Sequence, residues 1–136
     1  MVDQRNTLIV VDSSVWIDRI RNRSSAAVDR LRLILEKEII VVGDIILLEI
    51  LQGAGDDLQA RKLQRAMSRY KIVDMLNTDI AIQSAFNFRF LRGKGITIRK
   101  TADLIIGTWC IENDCSLLHN DRDFLPMVEH LGLREF

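Results

Sequence analysis

Four carboxylates have a context that the ordinary reading, a solvated surface charge, explains less well. Asp12 ends the apolar run LIVV at residues 8–11. Glu49 is flanked by Ile45, Ile46, Leu47, Leu48, Ile50 and Leu51. Asp103 precedes Leu104, Ile105, Ile106, Trp109, Cys110 and Ile111. Asp121 follows residues 116–119 in the stretch HNDRDF, with Asp123 two positions on. A buried carboxylate without a partner is destabilising or takes up a proton, and like charges in one place need a counter-ion. Oxygen donors with no paired His or Cys fit a hard cation, Mg²⁺ or Mn²⁺. One or two such ions can activate water and stabilise the leaving oxygen of a phosphodiester, so the chemistry implied is metal-assisted hydrolysis without a covalent enzyme intermediate.

Each acid also has an ordinary reading. Asp12, like Ser13 or Ser14, can cap the helix that follows, and a cap is compatible with a metal ligand. Glu49 can lie on a narrow exposed stripe beside Gln52 and Gly53. Asp103, in a first helical turn, complements the helix dipole. Asp121 and Asp123 stand among turn-forming residues, and Asp123 can be a ligand, an auxiliary ligand or a cap.

The elements that must position these acids alternate in type. Short β-branched runs at 8–11 and 39–42 read as strands buried on both faces, with further strands at 70–75 and 116–119 and a last edge strand at 133–136. Helices are expected at 14–20, from Ser24 or Ser25 to about 37, at 45–52 after an Asp44 cap, from Asp56 or Asp57 onward, from a Thr78 cap to Gly93, at 102–113 and at 124–131. In the helix starting at Thr78, Ile82, Ala85, Phe86 and Phe90 are expected to face inward. In the helix before it, Leu63, Ala66, Met67 and Tyr70 form the apolar face. The fold class is therefore α/β: a three-layer α/β/α sandwich with a parallel sheet of four to five strands, which puts strand-end acids on one side of the sheet.

A length of 136 residues suits one domain spanning 1–136, and 48% hydrophobic residues suit a well-buried core. No apolar run approaches a membrane span, and residues 1–7 carry Asp3 and Arg5 ahead of only four apolar residues, so neither a membrane anchor nor a signal peptide is expected. Cys110 and Cys115 lack metal-ligand spacing and read as reduced thiols of a cytoplasmic protein. Net charge is zero, so any nucleic-acid surface must be local.

Four stretches in series resemble the PIN-domain ribonucleases, and among them the VapC-type toxins of toxin–antitoxin pairs: VVDSSVWID (10–18), ILLEILQG (46–53), TADLIIGTWCIEND (101–114) and LLHNDRDF (117–124). The resemblance covers essentially the whole chain. It implies that Asp12, Glu49, Asp103 and Asp121 are the acidic quartet, and that Ser14 is the Ser/Thr kept close to the metal. Asn120 and Asp123 fall in the last motif, where members differ in which polar residue reaches the metal. His119 stands where members often have Thr or Ser, and is expected to be structural. The resemblance further implies a Mg²⁺-dependent endoribonuclease, a homodimer, and inhibition by a cognate antitoxin that wraps the cleft.

RNA near a nest of acids needs basic residues. Arg89, Arg92, Lys94, Arg99 and Lys100 run without an acid into Asp103, and Arg92, Lys94, Arg99 and Lys100 are the expected phosphate contacts. Arg89 and Arg92 can alternatively complement a helix C-terminus. Arg19, Arg21 and Arg23 form a second basic group, open to RNA or to an antitoxin. Asp18 is expected at the surface or at a partner contact. Trp16 and Trp109 are expected in the core or a dimer interface, and Gly107 against a closely packed segment. Two other functions compete. An aspartate-based phosphotransfer protein wants an acid one or two residues from the nucleophilic Asp and a Lys after a later strand; Asp12 is followed by Ser13, Ser14 and Val15, and no Lys follows the fourth strand. A catalytically silent PIN-type module for binding or dimerisation would have no need of all four acids.

Overall fold

In the computed structural model, which describes residues 7–136, β1 (Ile9–Val11), β2 (Ile40–Gly43), β3 (Lys71–Val73) and β4 (Ser116–Leu118) form one parallel sheet in the order β3-β2-β1-β4. The helices are α1 (Ser13–Ile20), α2 (Ala26–Ile34), α3 (Asp44–Gln52), α4 (Asp57–Met67), α5 (Thr78–Gly93), α6 (Thr101–Glu112) and α7 (Leu125–Leu131), the last preceded by a 3-10 turn over Arg122–Phe124. The expected absence of a signal peptide rests mainly on residues outside those described. Among the described residues no helix is long and apolar enough to cross a membrane.

Every residue of β1 is buried although successive side chains point to opposite faces, so both faces of the sheet are covered. The connections explain how. From β1 to β2 to β3 the chain steps one way across the sheet, and right-handed crossovers place α1–α4 on one face. From β3 it returns past β1 to β4, which places α5 and α6 on the other face. The packing agrees: α1 touches α2 and α3, α3 touches α4, and α5 packs along α6. The direction reverses between the neighbouring strands β1 and β4, and a sheet of this kind opens a crevice at that switch point, at the carboxyl ends of its strands. Asp12 lies there at the end of β1.

Several boundaries differ from expectation. The cap of α3 is Gly43, and Asp44 lies inside the first turn, where its Oδ1 accepts the Ile45 and Met75 N–H groups (2.8 and 3.1 Å). Asn77, not Thr78, caps α5, its Oδ1 accepting from Ile80 N–H. The C-terminal end of α5 does fall at Gly93, as expected. On α4, at the sheet edge, Met67 is buried but Ala66 is exposed. The last strand reduces to one parallel bridge, Leu117 to Glu135.

The largest correction concerns α5. Its buried face is Ile80, Ser84, Asn87 and Leu91, while Ile82, Phe86 and Phe90 are 65%, 52% and 42% exposed and Ala85 is also exposed. Burying Asn87 is tolerable because it is satisfied: its Nδ2 donates to Thr108 Oγ1 of α6 at 3.1 Å, and its Oδ1 accepts from Gln83 at 3.0 Å. With apolar side chains on both sides, α5 has no single apolar stripe, and the partner helix decides which side is buried. Trp16 and Trp109 are both in the core. Gly107 is closely packed: a Cβ there would lie 2.5 Å from the buried Met127 side chain.

Candidate metal centre

Asp12 is both cap and cleft residue. Its Oδ2 accepts from Ser14 N–H (3.1 Å) and Ser14 Oγ–H (2.6 Å), which starts α1, while its Oδ1 is buried with no donor among the described residues. On α6, Asp103 is 4% exposed and its Oδ2 is likewise buried and unpaired. Glu49 is half-buried on α3, and its Oε1 accepts from Ser13 Oγ at 3.1 Å. The surroundings of Glu49 are less apolar than expected, because α3 buries Ile46 and Ile50 but leaves Leu48 62% exposed. Asp121 caps the 3-10 turn, taking Asp123 N–H on Oδ1 (2.9 Å) and Lys100 Nζ on Oδ2 (3.2 Å).

These residues line one open cleft of about 320 Å³, formed by Asp12, Ser13, Ser14, Glu49, Lys100, Asp103, Asn120 and Asp121 with Ile17, Asp18 and Arg23. All four acids from the sequence therefore converge. Carboxylate oxygens of Asp103, Asp121 and Asp123 also come within 4.8 Å of one another. Asp123 is at the rim, its side chain 42% exposed and 3.7 Å from Lys100 Nζ.

Burial and mutual repulsion act on these groups together. Burial, then the charges of Asp12 and Asp121, push Asp103 up to about 7. Burial is also the main cause raising Asp12 and, with the neighbouring Asp12 charge, Glu49. At Asp121 burial works upward, but the Asp123 N–H and the Lys100 ammonium outweigh it and hold the carboxyl below its usual range. Three acids that resist ionisation, two with unsatisfied buried oxygens, form a donor set that a hard divalent cation would complete.

Ser14 ties the two strand-end loops together: its Oγ donates to Asp12 and accepts from Asn120 N–H at 3.2 Å. Of the basic residues expected on RNA, Lys100 is in the cleft. Arg99 is exposed on the connector outside the cleft lining, and Arg92 and Lys94 lie over Phe88 and Phe90 at 5.7 and 5.2 Å, away from the acids. Three further residues line the cleft that were not expected there. Ser13 holds Glu49. Asp18, expected at the surface or at a partner contact, is 17% exposed and accepts from Asn120 Nδ2 at 3.2 Å. Arg23 is 3.9 Å from Asp18. The signal for Asp18 was its spacing: four residues after Ser14 on a helix is the same face.

A family model described as "PIN domain" matches residues 9–128. Two relatives, VapC ribonuclease Mb1587 of Mycobacterium bovis and Ribonuclease VapC11 of Mycobacterium tuberculosis, are each 32% identical over 122 residues, covering 86% of this chain and 89% of theirs. Among solved structures, VapBC2 from Rickettsia felis bound to a DNA fragment from their promoter matches with a TM-score of 0.75 at 18% identity, covering 96% of this chain and 98% of that one. The parallel sheet with its switch-point acids, the family model and the VapC relatives agree, and the chain belongs to the PIN-domain family, among the VapC ribonucleases.

Proposed function

We propose that this chain is a single-domain, metal-dependent endoribonuclease that acts in the cytoplasm as the toxin of a toxin–antitoxin pair. Asp12, Glu49, Asp103 and Asp121 hold Mg²⁺ or Mn²⁺, with Asp123 as an auxiliary ligand. The observation that carries this reading is the pair of buried oxygens without a donor among the described residues, Asp12 Oδ1 and Asp103 Oδ2, on two acids that line the same cleft from different elements. A divalent ion bound there supplies Lewis-acid polarisation of the phosphodiester and a lowered pKa for bound water. The chain's own residues supply the geometry. Ser14 and Asn120 lock the Asp12 and Asp121 loops to each other, and Ser13 holds the Glu49 carboxylate in the cleft. Lys100 offsets the charge of Asp121 and Asp123, which an approaching phosphate would otherwise meet. Arg99, beside Lys100, extends that positive charge along the RNA, and Arg92 and Lys94 serve more distant phosphates.

Purified protein should cut a mixed RNA substrate internally with Mn²⁺ or Mg²⁺ and lose all cleavage in EDTA. Cleavage that persists in EDTA would remove the metal from the mechanism. A protein that binds the metal but cuts no RNA would favour the silent binding module.

The solved VapBC structure supports an antitoxin partner. Arg23 at the cleft edge, with Arg19 and Arg21 nearby on the surface, can receive its acidic or C-terminal part. The outward stripe Ile82, Phe86 and Phe90 supports a homodimer, since apolar side chains repeating every helical turn gain most by burial against a second copy. Phe86→Asp should convert dimer to monomer in sedimentation at micromolar concentration without unfolding the chain. An unchanged sedimentation coefficient would place the dimer contact elsewhere.

A further inference from the structure

The loop that carries Asp121 is held from behind by a residue outside the cleft lining. His119 follows β4, its side chain 6% exposed and its ring 5.0 Å from that of Phe124. Its Nδ1 accepts the backbone N–H of Asp121 at 3.2 Å. An imidazole nitrogen accepts only when it bears no proton, so the ring proton of this arrangement belongs on Nε2. Glu135 Oε2 is 2.8 Å from Nε2 and receives that proton's hydrogen bond. The backbone on either side of Glu135 is fixed, while its side chain is 44% exposed. Leu117 N–H donates to Arg134 O at 2.9 Å, Phe136 N–H donates to Leu117 O at 3.0 Å, and the Arg134 guanidinium holds Asp114 Oδ1 and O at 2.8 Å. One imidazole thus links the C-terminal segment to the backbone of a proposed ligand.

We propose that His119 and Glu135 are positioning residues for Asp121: Glu135 selects the ring tautomer, and the ring orients the loop so that the Asp121 carboxylate faces Asp103. The inference rests on the metal reading above and adds a determinant of metal affinity that lies outside the acids. A Thr or Ser at position 119 would offer a hydroxyl that acts as donor or acceptor alike, with no use for Glu135. The His needs Glu135 to present a fixed acceptor.

The test is calorimetric Mn²⁺ binding, with the melting temperature of the metal-free protein as control. His119→Phe keeps the contact with Phe124 but cannot accept a hydrogen bond, and should weaken Mn²⁺ binding about tenfold, the lower end of what such supporting partners contribute. His119→Asn offers Oδ1 as an acceptor and should bind within about twofold of wild type, and Glu135→Leu should weaken binding by about threefold while Glu135→Gln does not. With only two histidines in the chain, a long-range ¹H–¹⁵N spectrum compared with that of His130→Gln identifies His119; its proton should be on Nε2 in wild type, with the other tautomer appearing in Glu135→Leu.

The proposal is overturned if His119→Phe binds Mn²⁺ as wild type does. It is also overturned if His119→Phe and His119→Asn lose affinity equally and in step with melting temperature, or if His119 carries its proton on Nδ1. Should His119→Phe fail to fold, the Glu135 pair and the spectrum decide alone. Wild-type protein that binds no Mn²⁺ would sink the metal reading, and this inference with it, whereas normal wild-type binding with an indifferent His119→Phe sinks only the inference.

Discussion

Asp12→Asn is expected to lower metal-dependent RNA cleavage by at least about 10²–10³-fold, the scale of losing one preorganised electrostatic contact to the reacting centre, while the metal-free protein melts no lower than wild type. The two halves have one cause. Asp12 Oδ2 serves α1, and the Asn amide oxygen can take over both Ser14 hydrogen bonds, so the cap survives. Oδ1 serves nothing in the metal-free chain: it is buried, without a donor and close to other acids. Removing the charge relieves burial and repulsion in the fold and removes a ligand from the site. A merely structural Asp12 would give the opposite pattern, with a lower melting temperature and activity falling only in proportion. Equal cleavage by wild type and Asp12→Asn would point to a contaminating nuclease. Growth arrest on expression, relieved by the same substitution, would separate a toxin from a housekeeping nuclease.

Metal binding should tighten steeply between pH 6 and pH 8. In the metal-free protein Asp103 titrates at about 7, against 3.8 for an ordinary Asp. Below that pH a cation must displace its proton, so affinity should fall by about tenfold for each unit below neutrality, with release of close to one proton. Asp12 and Glu49, both raised, act in the same direction. Stability of the metal-free protein runs the other way. Between about pH 4 and 7 folded Asp103 holds a proton that the unfolded chain has lost. Its contribution is therefore complete below pH 4 and disappears as pH rises through 7, by up to about 4 kcal/mol. Melting temperature without metal should fall across that window, and Mn²⁺ should restore most of it at pH 8 and little at pH 5.5. Calorimetry in buffers of different ionisation enthalpy counts the protons. A dissociation constant that is flat from pH 6 to 8 would show that Asp103 is ionised without the metal.

Local patterning was sufficient for much of this molecule. Strands and helices alternate visibly because β-branched runs of three or four residues and 3.6-residue periodicity are short-range signals. Parallel pairing follows from the alternation, and strand-end carboxylates in a parallel sheet have only one side to share. Asp12 and Asp121 were legible as acids that follow strands, and Glu49 and Asp103 as acids within or at the start of apolar helical runs. Three features were settled by tertiary contact alone. The inward face of α5 depends on Thr108, 21 positions away, which makes a buried Asn87 acceptable and leaves Phe86 outside. Asp18 joins the cleft through Asn120, 102 positions away. His119 acquires its place from Glu135, which reaches it only when the C-terminal segment docks on β4. In each case the position of a polar side chain depended on a partner distant in sequence. Burial of a polar group is decided by whether its hydrogen bonds are met, and only the folded chain brings the donor to the acceptor.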